Sequence, residues 1–113
     1  MKIEIVEFHI ASTRSDKNNQ TIGRFHVYLC DLDVDLKGVA IRKKKGQHKI
    51  WFPNSFGVCQ ETGKSIGYTV FQFCNQKKNE ELKQSILDEC EEFLIEWFKD
   101  NPGWKEYAEK WGY

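Results

Sequence analysis

The spacing of apolar residues changes once along this chain, and that change limits the folds open to it. Up to about residue 73 apolar side chains mostly alternate with polar ones, the period of a half-buried strand. From Leu82 onward they recur at three and four residues: Leu82, Ile86, Cys90, Phe93, Leu94, Trp97 and Phe98, with Leu87 on the same broad face. Strands in a row followed by a helix make an α+β domain. The expected architecture is an antiparallel sheet of four to five strands, one long C-terminal helix packed on it, and a short terminal helix. A chain of 113 residues fits one domain with a modest core. Its parts are expected to be a β-rich region 1–74, the long helix 79–100 and a short aromatic helical tail 101–113.

Within the β-rich region, 2–11 reads as a first strand, with Ile3 and Ile5 on one side and Val6, Phe8 and Ile10 on the other. The polar run 12–20 reads as a flexible loop. In 21–31, Phe25, Val27 and Leu29 alternate with Arg24, His26 and Tyr28. Leu32, Val34 and Leu36 then alternate with Asp33 and Asp35, before the parity switches at Gly38 to Val39 and Ile41. A glycine at a parity switch predicts a bulge or bend. A short strand 49–52 ends at Pro53, which lacks a ladder donor. Residues 54–65 read as a long loop and 66–73 as the last strand. Asn79 is the expected N-cap of the long helix, with Glu80 and Glu81 at the positive end of its dipole. Asn101 is the expected cap of the short helix, with Pro102 at its first position and Trp104, Tyr107, Ala108 and Trp111 on one apolar face.

The net charge of zero hides a division. Residues 1–78 hold 13 Lys and Arg against 7 Asp and Glu, a net of +6, whereas 79–113 hold 4 against 10, a net of −6. Either a basic face awaits a polyanion, or an acidic helix lies beside a basic sheet and partly neutralises it. Four of the cations are consecutive: Arg42, Lys43, Lys44 and Lys45. Lys49, Lys77 and Lys78 are candidate neighbours. Such a turn neutralises phosphates with little regard for sequence, and Trp51 can stack on a base if it faces outward. The plainer reading is a solvated hairpin tip whose lysines discourage edge-to-edge association.

Catalytic and metal chemistry find no pattern here, so no catalytic residue, metal or cofactor is expected. Cys30, Cys59, Cys74 and Cys90 form no C-x-x-C, and no histidine stands at a ligand spacing from them. Asp31, Asp33 and Asp35 share one strand face by alternation; they are either a hard-cation site or the wet side of a strand. The segment Glu61-Thr62-Gly63-Lys64-Ser65 is similar to the end of a phosphate-binding loop but lacks the first glycine. No apolar run approaches the ~20 residues of a membrane helix. Glu4 and Glu7 make the N-terminus a strand rather than a signal peptide, and reduced thiols in a cytoplasmic protein are the expectation.

Three segments, in order, resemble the SpoVG family (stage V sporulation protein G). They are the strand pair around Phe25-His26-Val27-Tyr28-Leu29 and Val39-Ala40-Ile41-Arg42, the run Ile50-Trp51-Phe52-Pro53-Asn54, and Asn75 followed by Leu82, Ile86 and Leu87. The resemblance covers about residues 1–95. It implies an antiparallel sheet with a helix packed on it, in a small bacterial regulator that binds DNA and RNA, usually as a dimer. The family's basic residues in the first helical turn are matched here by Asn79 and Glu81, which moves the expected nucleic-acid site to the turn 42–45. The expected function is thus a non-enzymatic nucleic-acid-binding regulator, forming a homodimer. The alternative is a protein-interaction module that docks a partner through the acidic helix or the aromatic C-terminal tail.

Overall fold

The computed structural model describes residues 2–11, 21–58, 60–69 and 71–113, with the backbone alone for 44, 54–58 and 65–69. The expected loop 12–20 lies outside the described residues. The strands are β1 (Ile3–Ile10), β2 (Thr21–Leu29), β3 (Val34–Lys44), β4 (Gln47–Trp51), β5 (Asn54–Val58) and β6 (Ser65–Thr69). The helices are α1 (Gln76–Asp100) and α2 (Lys105–Lys110), joined by one 3-10 turn (Pro102–Trp104). Strands β1 to β4 form an antiparallel sheet in chain order, and β5 pairs with β6 in a second, two-stranded sheet. The expected α+β class is present, and the sheet has four strands, within the expected four to five. The expected loop 54–65 is instead one arm and the turn of a hairpin, which alternation could not reveal in the run NSFGV.

Three bulges decide which side chains reach the core. Ile5 pairs with Val27 and Glu7 with His26, so Val6 is an extra residue in β1. The expectation that Ile3 and Ile5 oppose Phe8 and Ile10 is therefore corrected: the bulge returns all four to the core side and turns Val6 outward. At Gly38 the expected bulge is present, with φ +80, between the pairs Phe25–Val39 and Val27–Leu36. A third lies at Ile22, which is fully buried. Gly23 is required where β1 crosses closely: a Cβ there would collide with the Phe8 ring and stand 2.9 Å from the His9 carbonyl oxygen.

Strand β2 keeps the alternation read from sequence, with Phe25, Val27 and Leu29 buried. The next segment does not. Residues 30–33 form a turn with Asp33 at φ +52, and Leu32 is exposed. The three aspartates consequently do not share a strand face. Asp31 Oδ2 accepts from the Lys2 backbone N–H at 3.3 Å, and Asp33 Oδ1 accepts from the Tyr28 hydroxyl at 2.6 Å. Asp35 stands 3.2 Å from His26 Nε2, an electrostatic contact without hydrogen-bond alignment. The carboxylate of Asp33 pushes the Tyr28 phenol up to about 12.

The long helix begins three residues earlier than 79. Asn75 is its N-cap, with Oδ1 accepting from the Lys78 N–H at 3.0 Å. Asn79 is not the cap; it lies buried in the first turns, where its Oδ1 satisfies the Phe73 N–H at 3.0 Å. Both asparagines have the right chemistry, and the need to pair a half-buried backbone donor decides between them. The buried residues Leu82, Ile86, Cys90, Leu94 and Phe98 are spaced by four. Each such step rotates the stripe by about 40° around the axis, and α1 meets both β4 and β1. His48 faces Glu91, and Phe8 packs edge-on against Phe93 and Trp97.

The aromatic tail closes this core. Asn101 does not cap forward; its Nδ2 donates to the Trp97 carbonyl at 2.8 Å, covering a helix-end acceptor. Ala108 and Trp111 are buried, Trp104 and Tyr107 pack against the cluster, and the Tyr107 hydroxyl donates to the Ile22 carbonyl at 2.7 Å. Trp97, Phe98, Trp104, Tyr107, Trp111 and Tyr113 form a chain of ring contacts.

Candidate nucleic-acid interface

Strands β3 and β4 meet in a two-residue turn, Lys45-Gly46, with both φ angles positive (53 and 78). That is the type I′ pattern whose twist suits a hairpin, and it carries Lys45 to the exposed tip. The pairing register then divides the four cations. Arg42 lies opposite Lys49 and Ala40 opposite Trp51, and directly paired residues share a face. Lys43 lies opposite His48, in the set that includes the buried Ile41 and Ile50 beneath α1. Lys44 pairs with Gln47 by its backbone, and its side chain lies outside the described residues.

On the sheet face away from α1, the Arg42 guanidinium carbon stands 4.8 Å from the centroid of the Trp51 ring, a cation–π stack between diagonal neighbours. Trp51 is 39% exposed beside it. Lys49 is exposed, and so is Arg24, which shares a row of the sheet with Ala40 and Trp51 and donates to the Gly38 carbonyl at 3.5 Å. Arg24 did not stand out in the sequence because it is an isolated cation; its place on the polar parity of β2 was the available signal. The same face becomes acidic toward the β2–β3 turn, where Glu4, Tyr28 and Asp35 form a row.

The remaining two candidates do not join this group. Lys77 and Lys78 are exposed in the first turn of α1. They lie 13 to 14 residues, about 20 Å along the axis, before Glu91, whose carboxylate contacts His48, and two to three residues before Glu80, which lines an open groove with Gln47 and Lys49 at the edge of β4. Among the described residues, none of Arg42, Lys43, Lys45, Lys49, Lys77 and Lys78 forms an ion pair with a carboxylate.

His48 anchors the hairpin to the C-terminus. Its Nε2–H donates to the Trp111 carbonyl at 2.8 Å, because a carbonyl only accepts. Nδ1 lies 3.2 Å from the Tyr113 hydroxyl and 3.1 Å from Glu91 Oε1, and the imidazole stacks on the Tyr113 ring at 5.0 Å. Burial, reinforced by the Glu91 charge, pushes the Tyr113 phenol up and keeps it a neutral donor. Beyond the edge strand β4 an open groove of about 520 Å³ runs toward α1, with Trp51 and Lys49 on one wall and Lys83 and Gln84 on the other.

Among the described residues, no three His, Cys, Asp or Glu side chains are grouped as a metal set would be, and no helix is long and apolar enough to cross a membrane. Compared with family models, with curated proteins and with solved structures, the chain matches none.

Proposed function

We propose that this protein is a non-enzymatic nucleic-acid-binding regulator, of the kind the SpoVG resemblance implies, and that it holds its ligand on the sheet face around the β3–β4 hairpin. The observation that carries the reading is the Arg42–Trp51 stack at 4.8 Å. It offers an exposed aromatic ring for a base and a fixed guanidinium for phosphate in one place, with Lys45, Lys49 and Arg24 around it. The acidic helix supports this geometry rather than opposing it. Glu80, Glu81, Asp88, Glu89, Glu92 and Glu96 are exposed on α1, which packs on the other face of the sheet. A polyanion is repelled there and steered to the hairpin face. The two edges of the four-stranded sheet, β1 and β4, leave a strand-pairing route for the expected homodimer.

The competing reading, a protein-interaction module, retains only the exposed acidic face of α1. The aromatic tail is occupied in closing the core. Titration of labelled single- and double-stranded DNA and RNA across a salt series separates the two. Salt-sensitive binding is expected, and no detectable binding at low salt would leave the protein-partner reading in its place.

A further inference from the structure

The outer edge of β4 is open, and the residues beside it complement their own copies. We infer that a second copy of this chain pairs antiparallel with β4 about a two-fold axis at Ile50, so that both copies build the nucleic-acid face. The composite face rests on the nucleic-acid reading above; the pairing does not. The two outer strands of the sheet differ as edges. Strand β1 carries the Val6 bulge and exposed Glu4, Glu7 and His9, devices that turn away an incoming strand. Strand β4 pairs with β3 without a bulge and contains no proline. The two-residue turn makes Lys44 and Gln47 the first hydrogen-bonded pair, so Lys49 and Trp51 also bond to β3. The N–H and C=O groups of His48 and Ile50 therefore point to the open edge, along which the groove runs.

The charges select the register. Lys83, Leu87 and Glu91 are spaced by four, one residue past the buried Leu82, Ile86 and Cys90, and form a half-buried row on the flank of α1 beside β4. Glu91 Oε1 lies 3.1 Å from His48 Nδ1, and Lys83 Nζ lies 5.4 Å from the centroid of the Phe52 ring. Eight helical residues and four strand residues each cover about 12–13 Å, so the row runs antiparallel to β4 with Leu87 level with Ile50. Pairing Ile50 with its own copy sets His48 opposite Phe52 of the second copy. Lys83 then faces Glu91 of the second copy, reciprocally, and Leu87 meets its equivalent on the axis. Among the described residues Lys83 has no ion pair within the single chain. On the open face Lys49 lies beside the Trp51 ring of the second copy, with about 4.5 Å between their Cα atoms, and gains a cation–π contact. A centre at Lys49 sets two Lys49 side chains together. One at His48 or Phe52 sets like charges of α1 together, and one at Trp51 forms neither contact. About Ile50, the two Trp51 residues stand on diagonal positions about 7–8 Å apart, with Lys49 and Arg42 of both copies around them. One strand of nucleic acid crosses the axis and stacks bases on both rings.

The test mixes isotopically labelled and unlabelled full chain and records nuclear Overhauser contacts between copies. An Hα–Hα contact between Lys49 of one copy and Trp51 of the other is expected. Lys83→Glu should weaken the dimer at least about tenfold in sedimentation, and Lys83→Glu with Glu91→Lys should restore it. Fluorescein-labelled oligo(dT) should bind as one strand per dimer, lose affinity with Lys83→Glu although that residue lies on the other side of the sheet, and regain it in the charge swap. A monomer at every concentration, contacts between copies at β1, or a dimer indifferent to Lys83→Glu overturns the inference and leaves hairpin binding by the single chain intact. A wild-type chain that shows the contact between Lys49 and Trp51 but binds no DNA or RNA at low salt removes the functional reading and the composite face with it, while the β4 pairing stands.

Discussion

Replacing His48 by alanine should destabilise the protein far more than a residue on an edge strand ordinarily would. The side chain ties β4 to α1 and to the last residues of the chain. Its loss removes the donor to the Trp111 carbonyl, a 2.8 Å bond beside a buried residue. An acceptor left without a partner in such a place costs about 1–3 kcal/mol. The stack on Tyr113 is lost with it, at about 0.5–1.5 kcal/mol. Together they give about 1.5–4.5 kcal/mol. In a domain of this size each kcal/mol lowers the melting temperature by about 4 °C or more, so a fall of at least ~6 °C is expected. Urea unfolding followed by circular dichroism measures the loss directly. A double-mutant cycle with Tyr113→Leu should show strong non-additivity, since the two residues share one contact. A cost for His48→Ala within about 0.5 kcal/mol, or strict additivity with Tyr113→Leu, would refute the anchor.

Three other outcomes follow from the packing. Gly23→Ala should destabilise by more than the usual ~1 kcal/mol of a point change, because the new Cβ must displace the Phe8 ring or the His9 carbonyl, and a melting temperature equal to wild type would contradict that close approach. Burial pushes the Cys90 thiol up to about 12, so it stays protonated at pH ~8 and should resist iodoacetamide until the protein unfolds, while exposed Cys74 reacts; peptide mass spectrometry reads both, and because the unfolded thiol ionises at about 8.5, stability should fall as pH rises from there toward 12. Sedimentation at micromolar concentration should give a species near twice 13.4 kDa, and a monomer alone would contradict the homodimer.

The sequence disclosed the elements better than their orientation. The buried stripe of α1 was legible because apolar residues spaced by three and four over more than four turns line up on a helix and scatter on a strand, and β2 was legible because it alternates without interruption. The bulge at Val6 was not, since a bulge adds a residue without requiring glycine, and the hydrophobic pattern alone assigned Phe8 to the wrong face. The turn 30–33 was hidden by apolar residues, Leu32 and Val34, that continue the alternation across it. For the site, consecutive position suggested a single cluster of Arg42, Lys43, Lys44 and Lys45. Pairing separates neighbours in a strand onto opposite faces, so Arg42 gains Lys49 and Trp51 as companions and Lys43 gains His48. The His48 anchor joins residues 43 to 65 positions apart and has no local signature at all.

The central claim is that the hairpin, and not the start of the helix, meets the phosphates. It is tested most directly by the slope of log affinity against log salt for a single-stranded oligonucleotide, measured for wild type, for Lys45→Ala with Lys49→Ala, and for Lys77→Ala with Lys78→Ala. Each phosphate contact contributes about 0.7 to that slope for single strands. The hairpin pair should therefore reduce it by up to about 1.4, and the helix pair should leave it unchanged. A slope that falls for the helix pair and holds for the hairpin pair would contradict the account.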